Sequence, residues 1–199
     1  MGGRAEILTA RLHLRPLAAR DEPTACAALS DPAVAQWLSG LPHPHHPQDF
    51  RDFRARAKAG RVWAITLAPG APIGPVGDPF LGVIALDPDL GYWLAPQAQG
   101  FGFAREAALG VLSMHFARGS ADPVSSGYFV GNMRSRQVLT SLGFVALGGE
   151  RAVFCRPRGK ILPHVDMVLT KAAFDAQTER TRDADPAPQI AARPTNPLE

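Results

Sequence analysis

A glycine-containing segment between a predicted strand and a predicted helix carries the clearest chemical signal in the chain. Gln97, Gly100 and Gly102 follow a predicted strand at 90–94 and lead directly into a helix predicted over residues 102–116. Glycine allows the backbone to adopt positive φ and to approach a ligand closely. A helix start supplies amides without intrahelical acceptors and the positive end of the helix dipole. These features predict a binding site for a pyrophosphate group.

Other phosphate-binding loops fit this segment less well. A P-loop requires Gly-Lys followed by Ser or Thr, and that sequence does not follow Gly102. A dinucleotide-binding fingerprint requires a third small residue where Arg105 stands, and Asp122 precedes the next predicted strand instead of ending it. On this motif alone, a glycine-rich connection that binds no ligand remains an open alternative.

Two segments, in order along the chain, resemble one known family. Gln97-x-x-Gly100-x-Gly102 is similar to the coenzyme A motif Q/R-x-x-G-x-G/A of the GNAT acetyltransferases. Residues 91–96 (GYWLAP) and 104–107 (AREA) resemble the branch that contains the ribosomal-protein N-terminal acetyltransferases. Residues 131–144 (GNMRSRQVLTSLGF) are similar to the N-x-x-S-x-x-V-L-x-x-L-G-F segment of that branch. The predicted element order also matches the family from about residue 8 to 172.

The resemblance implies both a fold and an activity. The expected fold is of the α/β class, with a GNAT-type mixed, mostly antiparallel central sheet of about seven strands flanked by helices. The expected activity is transfer of an acetyl group from acetyl-CoA to a primary amine, either a protein N-terminus or a small molecule. An acyl-CoA-binding sensor or partner module with little or no turnover is the alternative, because Asp89 and Arg105 depart from the family pattern.

The resemblance also implies which residues bind the cofactor. Backbone amides from Gln99 to Ala104 would hold the pyrophosphate, and the strand at Trp93 and Leu94 would bind the pantetheine arm and the thioester carbonyl. Asn132 would contact pantetheine, although Asn at a helix start also acts as an N-cap. The full expected set is Trp93, Leu94, Gln97, Gln99, Gly100, Phe101, Gly102, Phe103, Ala104, Arg105, Asn132 and Arg136.

Acylation of an amine benefits from a base, because an alkyl amine is mostly protonated at neutral pH. Asp89 is the first candidate, since relatives commonly carry Glu at this place; the alternative is a residue of the surface turn Asp87-Pro88-Asp89. His164 and Asp166, on the last predicted strand, are further candidates for the base. The alternative is that His164 is only a histidine at the strand entry and Asp166 only a solvated aspartate.

The departing thiolate benefits from a proton donor. Ser135 lies three, four and seven residues before Val138, Leu139 and Leu142, so it shares their inward helix face. In the branch that the chain resembles, relatives with a serine at this position suggest that its hydroxyl donates towards the sulfur of the thioester. Bonding of Ser135 to the helix backbone is the alternative, and Tyr128 is a weaker rival donor.

The remaining pattern supplies the elements that position these residues. Period-two alternation and apolar runs predict strands over 9–17, 62–67, 80–86, 90–94, 124–130, 144–155 and 165–170. Helices are predicted over 20–29, 31–40, 49–59, 102–116 and 132–142. Residues 1–174 are assigned to one acetyltransferase domain, and residues 175–199, which are rich in Pro, Ala and charge, to a disordered tail.

Composition narrows the expected partners. A net charge of +3 without a dense basic tract argues against nucleic-acid binding, and no apolar segment has the length of a signal peptide or membrane span. A cytoplasmic protein with two free cysteines is expected. His43, His45 and His46 lie in a proline-broken loop that is poorly organised for zinc, so no metal is expected; the loop is expected to border the acceptor pocket. A homodimer is compatible with the sequence, but no residue supports it.

Overall fold

The computed structural model describes residues 6–71 and 80–184, in which helices alternate with antiparallel strands. The strands are β1 (Ile7–Leu8), β2 (Leu12–Arg15), β3 (Val62–Leu67), β4 (Phe80–Leu86), β5 (Leu90–Leu94), β6 (Val124–Phe129), β7 (Val145–Cys155) and β8 (Lys160–Leu169). The helices are α1 (Glu22–Ser30), α2 (Pro32–Ala35), α3 (Pro47–Arg56), α4 (Phe103–Ala117), α5 (Met133–Ser141) and α6 (Lys171–Ala184).

The strands form two antiparallel sheets. The first has the order β1-β2-β3-β4-β5 and the second the order β6-β8-β7. The predicted α/β class with a mostly antiparallel sheet is confirmed. The strands number eight among the described residues, however, and they divide into two sheets. The additional strand, β1, is only two residues long, too short for an alternating pattern to reveal it.

The two sheets meet where β5 approaches β6. The Oγ of Ser126, in β6, donates a buried 2.7 Å hydrogen bond to the carbonyl oxygen of Leu90, at the start of β5. No backbone ladder pairs the two strands in the described structure, and we call the space between them, beyond Ser126, the β5–β6 gap. On each side of the gap lies a strand edge that belongs to no ladder, which makes the gap suitable for binding a ligand that carries amide groups.

Apolar side chains cover both faces of the first sheet. The larger core lies on the α4 side and includes Leu90 and Leu94 of β5 together with Val111 and Leu112 of α4. The smaller core contains Ala25, Phe50, Val62, Ala64, Phe80 and Val83, with Trp93 packed against it. Because side chains alternate along a strand, β5 directs Tyr92 and Leu94 to the larger core and Trp93 to the smaller one.

The end of the domain differs from the predicted boundary. Helix α6 continues to Ala184, so residues 175–184, predicted to be disordered, are helical. Phe174 is buried and its ring centroid lies 5.2 Å from that of Phe116 in α4, while Lys171 and Asp175 form an i,i+4 ion pair. Composition misled the prediction because charged residues such as Glu179 and Arg180 are exposed on a helix that Phe174 anchors. Residues 185–199 of the predicted tail lie outside the described residues.

Candidate active site

The start of α4 has the geometry of an anion-binding site. Gly100 and Gly102 adopt φ values of 88° and 79°, and Gly102 is the N-cap of α4. The first intrahelical hydrogen bond runs from the amide of Glu106 to the carbonyl oxygen of Gly102. The amides of Phe103, Ala104 and Arg105 therefore have no acceptor within the helix, and they point out of its positive end. This arrangement fits a pyrophosphate.

Glu106 fixes the position of this helix start. Its carboxylate accepts hydrogen bonds from the hydroxyl of Thr9 at 2.5 Å and from the backbone amide of Arg11 at 2.8 Å. It also forms an ion pair with the Arg11 guanidinium, which stacks 4.8 Å from the ring centroid of Phe103. Burial would raise the pKa of Glu106, but these hydrogen bonds and the Arg11 charge outweigh it and lower the pKa. The sequence did not reveal this contact, which joins residues far apart in the chain.

The loop before α4 is tied to its neighbours through Gln99. Its side-chain amide donates to the carbonyl oxygen of Leu94 at 3.1 Å, and its Oε1 accepts from the Arg134 guanidinium at 2.5 Å. The end of β5, the glycine loop and α5 are thus linked at one place. Gln97, also predicted for cofactor binding, is exposed beside this link.

The aromatic and basic residues around α4 take different positions. Phe101 is 40% exposed and stacks on the buried Phe103, with ring centroids 5.4 Å apart. Arg105 donates from Nε to the Ser141 hydroxyl at 3.2 Å, which ties α4 to α5. Arg136 is exposed on α5. Phe103 therefore offers only its backbone amide to a ligand, whereas Arg136 has a free approach to solvent.

The α5 side of the gap carries two predicted residues and one that was missed. The Asn132 side chain caps α5 by accepting from the amide of Ser135 at 3.2 Å, so its N-cap role is confirmed. The Ser135 hydroxyl lies 3.1 Å from the Tyr92 hydroxyl. Burial raises the pKa of Tyr92 to about 12, more than the hydrogen bond with Ser135 lowers it. Tyr92 stays protonated at neutral pH. Alternation along β5 places it on the same face as Leu90 and Leu94, a signal that could have identified it.

The opposite face carries a cluster of polar residues. His164 Nδ1 lies 3.0 Å from Asp166 Oδ1, and the Arg151 guanidinium donates two hydrogen bonds to the Asp166 carboxylate, at 2.8 and 2.9 Å. The structure thus brings the two alternative base candidates together. Asp89, the first candidate, is exposed in the β4–β5 turn, and its charge acts on Arg151. Tyr128 lies on the other face, against the larger core.

The histidine loop borders a cavity of about 400 Å³ between α3 and the end of β7. Its lining consists of Pro42, His43, Pro44, His46, Asp49, Phe154 and Arg156. His45 lies behind the cavity with a side chain only 3% exposed, and burial lowers its pKa more than Asp49, 3.8 Å away, raises it. Within residues 6–71 and 80–184, no three His, Cys, Asp or Glu side chains are grouped to hold a metal ion. Over the same ranges, no helix is both long and apolar enough to cross a bilayer.

Solved structures share this architecture. An acetyltransferase of the GNAT family from Bacillus anthracis superposes with a TM-score of 0.69 at 17% identity, covering 84% of this chain and 99% of that one. Mycobacterium smegmatis RimJ, solved in complex with CoA-disulfide, gives a TM-score of 0.66 at 21% identity, covering 91% and 97%. Ribosomal-protein-S5-alanine acetyltransferase from Vibrio fischeri gives 0.63 at 17% identity, covering 83% and 96%. At these identities, the likeness shows the fold.

Comparison with curated proteins gives no match. A family model, described as acetyltransferase (GNAT) domain, matches residues 11–145, more than half of the chain. This match spans the glycine loop, α4, the β5–β6 gap and α5, which are the elements that build the candidate site. The chain therefore belongs to the GNAT acetyltransferase family, and this membership supports N-acetyltransferase activity.

Proposed function

We propose that the protein transfers an acetyl group from acetyl-CoA to a primary amine by direct attack of the amine on the thioester in a ternary complex. The observation that carries the proposal is the glycine-capped start of α4 beside the open β5–β6 gap. A diphosphate and an extended amide-containing arm are the two parts of acetyl-CoA that such neighbouring sites would accept.

Each half of the cofactor has matching residues. The free amides of Phe103, Ala104 and Arg105 would bind the pyrophosphate, and Arg136 would reach the phosphates from α5. The pantetheine arm would lie in the gap against Trp93 and Leu94, where the unpaired edge of β5 can exchange main-chain hydrogen bonds with its amides. The side chains of Gln97, Gln99, Phe101 and Asn132 would complete the walls of this site.

The hydroxyl pair supplies the proton for the leaving group. The amine nitrogen forms a bond to the acyl carbon, the carbon–sulfur bond breaks, and the electron pair leaves with sulfur. Tyr92 and Ser135, whose hydroxyls are 3.1 Å apart, would donate a hydrogen bond or proton to the thiolate. Because burial raises the pKa of Tyr92 to about 12, this donor remains protonated throughout the physiological range.

The acceptor class follows from the reaction and from the neighbours. A neutral primary amine is the required nucleophile, and it can be a protein N-terminus or a small-molecule amine. The name of the Vibrio fischeri neighbour describes acetylation of a ribosomal-protein alanine, which supports testing protein N-termini first. The cavity beside the histidine loop has a lining different from that of the cofactor site, and it would give the acceptor a separate region of the surface.

Two measurements test the proposal. Acetyl-CoA at a hundredfold excess over its dissociation constant should stabilise the fold by about 2.7 kcal/mol, visible as a raised melting temperature. Thiol release should then depend on an amine chosen from peptides with free N-termini and small primary amines. Binding without thiol release from any amine would support the CoA-binding sensor instead, and an unmoved melting temperature would contradict both functions.

A further inference from the structure

A histidine–aspartate pair on β8, one strand away from the β5–β6 gap, lies on the face opposite the hydroxyl pair. We infer that His164 is the general base that accepts a proton from the acceptor amine, and that Asp166 and Arg151 position it. This inference rests on the proposed function, because it assigns a proton acceptor to the same reaction. It also selects one residue from the three base candidates Asp89, His164 and Asp166.

The hydrogen bonds fix the state of the imidazole. The Asp166 carboxylate is held by the Arg151 guanidinium through two hydrogen bonds and is 3.0 Å from His164 Nδ1. A carboxylate only accepts hydrogen bonds, so a neutral His164 carries its proton on Nδ1. The lone pair is then on Nε2, on the side of the ring away from Asp166. This is the protonation state that a general base requires.

The imidazole leans from β8 over Gly127 of β6, at the level along β6 where the gap begins. A Cβ placed on Gly127 would lie 2.3 Å from His164 Cε1 and 3.0 Å from Nε2, so only glycine leaves room for the ring here. Gly127 directly follows Ser126, whose hydroxyl makes the link to β5. The ring is held on its other side by an edge contact with Phe129, at 5.3 Å between centroids. His164 is therefore packed in place beside the residue that marks the start of the gap.

The two proton-transferring groups lie on opposite faces of the sheet. Val165 and Met167 pack into the larger core on the α4 side, so the neighbouring His164 and Asp166 point to the other face. Tyr92 and Ser135 lie on the α4 side. An amine that enters from the His164 face would meet the thioester from the side opposite the hydroxyls. The base would thus act at the nitrogen while the hydroxyl pair acts at the sulfur.

The proton balance closes without another reactant. One proton leaves the attacking nitrogen for His164 Nε2, and the thiolate receives one from the hydroxyl pair; both groups return to their starting states through exchange with water. Burial lowers the pKa of His164, and Arg151 adds to this, while Asp166 opposes it. These are the charged groups that act on the ring from β7 and β8; from β6 it is contacted by Gly127 and Phe129, which are uncharged. The ring is therefore largely neutral at pH 7.

Asp89 is less suited to this role. Its side chain is exposed in the turn before β5, and its charge acts on Arg151, which is already paired with Asp166. A solvated carboxylate is a weak base towards an alkyl ammonium group, whose pKa is near that of lysine. A neutral imidazole matches the operating pH more closely.

The decisive variant is His164→Asn, because the Asn amide can still donate to Asp166 but has no nitrogen in place of Nε2. With the most active amine from a panel of N-terminal peptides and small primary amines, kcat/KM should fall about a hundredfold or more at pH 7. Acetyl-CoA affinity, measured by calorimetry, should stay unchanged. The distant His13→Asn is the matched control and should keep most of the activity. A loss in Asp89→Asn as large as that in His164→Asn would favour Asp89 as the base.

The pH profile separates catalysis from a structural effect. Wild-type kcat/KM should rise with pH as His164 loses its proton, with a midpoint below the usual histidine pKa. In His164→Asn this rise of kcat/KM with pH should be absent. Asp166→Asn should move the midpoint to lower pH, because the carboxylate raises the pKa of His164. Nitrogen-15 NMR of the free protein should show the proton on Nδ1.

Two results would overturn the inference: wild-type kcat/KM in a folded His164→Asn protein, or a proton found on Nε2. Neither would affect the proposed function. A wild-type protein that binds acetyl-CoA but releases no thiol with any amine would defeat the proposed function, and this inference with it.

Discussion

The Tyr92 hydroxyl and the Ser135 hydroxyl lie 3.1 Å apart and join β5 to the first turn of α5 across the end of the β5–β6 gap. Burial raises the pKa of Tyr92 to about 12, so this pair holds its protons under all physiological conditions. The contact joins the edge strand of the first sheet to the helix that follows β6. It therefore contributes to both the shape of the gap and the proton supply within it.

Tyr92→Phe should reduce kcat while leaving acetyl-CoA affinity nearly unchanged, because it removes a proton donor and no part of the phosphate site. The expected loss is about a hundredfold. Tyr128→Phe is a matched control, since Tyr128 is the other tyrosine of the chain and packs against the same core. Steady-state thiol release is the measurement, and equal loss in the two variants would argue against a specific role for Tyr92.

The same substitution should change stability at alkaline pH. The tyrosine pKa is near 10 in the unfolded chain and about 12 in the folded protein, so the folded state favours the protonated form. The associated stability is present below pH 10 and is lost as the pH rises to about 12. Two pKa units correspond to about 2.7 kcal/mol. The free energy of unfolding, measured by urea denaturation from pH 9 to 11.5, should therefore fall more steeply for wild type than for Tyr92→Phe. Parallel curves would contradict the raised pKa of Tyr92 in the folded protein.

Gly102→Glu should weaken acetyl-CoA binding more than a hundredfold in a protein that remains folded. The substitution places a carboxylate where the pyrophosphate is expected, and repulsion of like charges in such a site costs several kcal/mol. Gly119→Glu is the control: Gly119 has a similar φ of 82° but lies at the other end of α4. Calorimetry measures affinity and circular dichroism confirms folding. Retained affinity in folded Gly102→Glu would reject the phosphate site.

Glu106→Gln should destabilise the protein by about 2 kcal/mol at neutral pH, because the charged acceptor for Thr9 and Arg11 is lost. The pKa of Glu106 is lowered in the folded state, so its contribution is present above the usual glutamate value and lost as the pH falls through the folded value. Asp87→Asn breaks the exposed pair with Lys58 and should have little effect. Urea denaturation at pH 7 and pH 3 tests both: the difference between wild type and Glu106→Gln should shrink at pH 3.

Truncation after Phe174 should lower the melting temperature, although composition alone predicts no effect. It removes the helical turns that follow Phe174, including Thr178, whose hydroxyl bonds to the Phe174 carbonyl oxygen, and Gln177, which lies beside Gly143. Phe174 would then remain at a frayed chain end. Truncation after Ala184 keeps all of α6 and is the control. Identical melting of the first truncation and the full chain would show that α6 adds no stability.

Local signals account for the parts of the fold that were predicted correctly. Helix α4 begins at Phe103, one residue after the predicted start at Gly102. The prediction came this close because a glycine, here with positive φ, and the apolar stripe that follows it both indicate a helix start. The strand at 90–94 likewise matches β5, since Pro96 stops it. The role of each predicted cofactor residue stays a prediction.

Long-range contacts account for what the sequence did not reveal. The pairing of Arg151 with Asp166 depends on the register of β7 against β8, which shifts between Ala146 and Glu150. A single-residue change of register would move Arg151 to the other face. The contact between Glu106 and Arg11 joins residues 95 positions apart, and helix α6 is anchored by Phe174 on Phe116. No local pattern specifies these pairs.

The link between Ser126 and Leu90 has a consequence for hydrogen exchange. A side chain, not a ladder, joins β5 to β6, so each strand keeps one main-chain edge facing the gap. In the free protein the amides on these edges should exchange with deuterium faster than those of the neighbouring β4. A ligand arm with amide groups that binds between β5 and β6 would slow exchange on both strands at once. The residues whose exchange slows would then show where along the strands the arm lies.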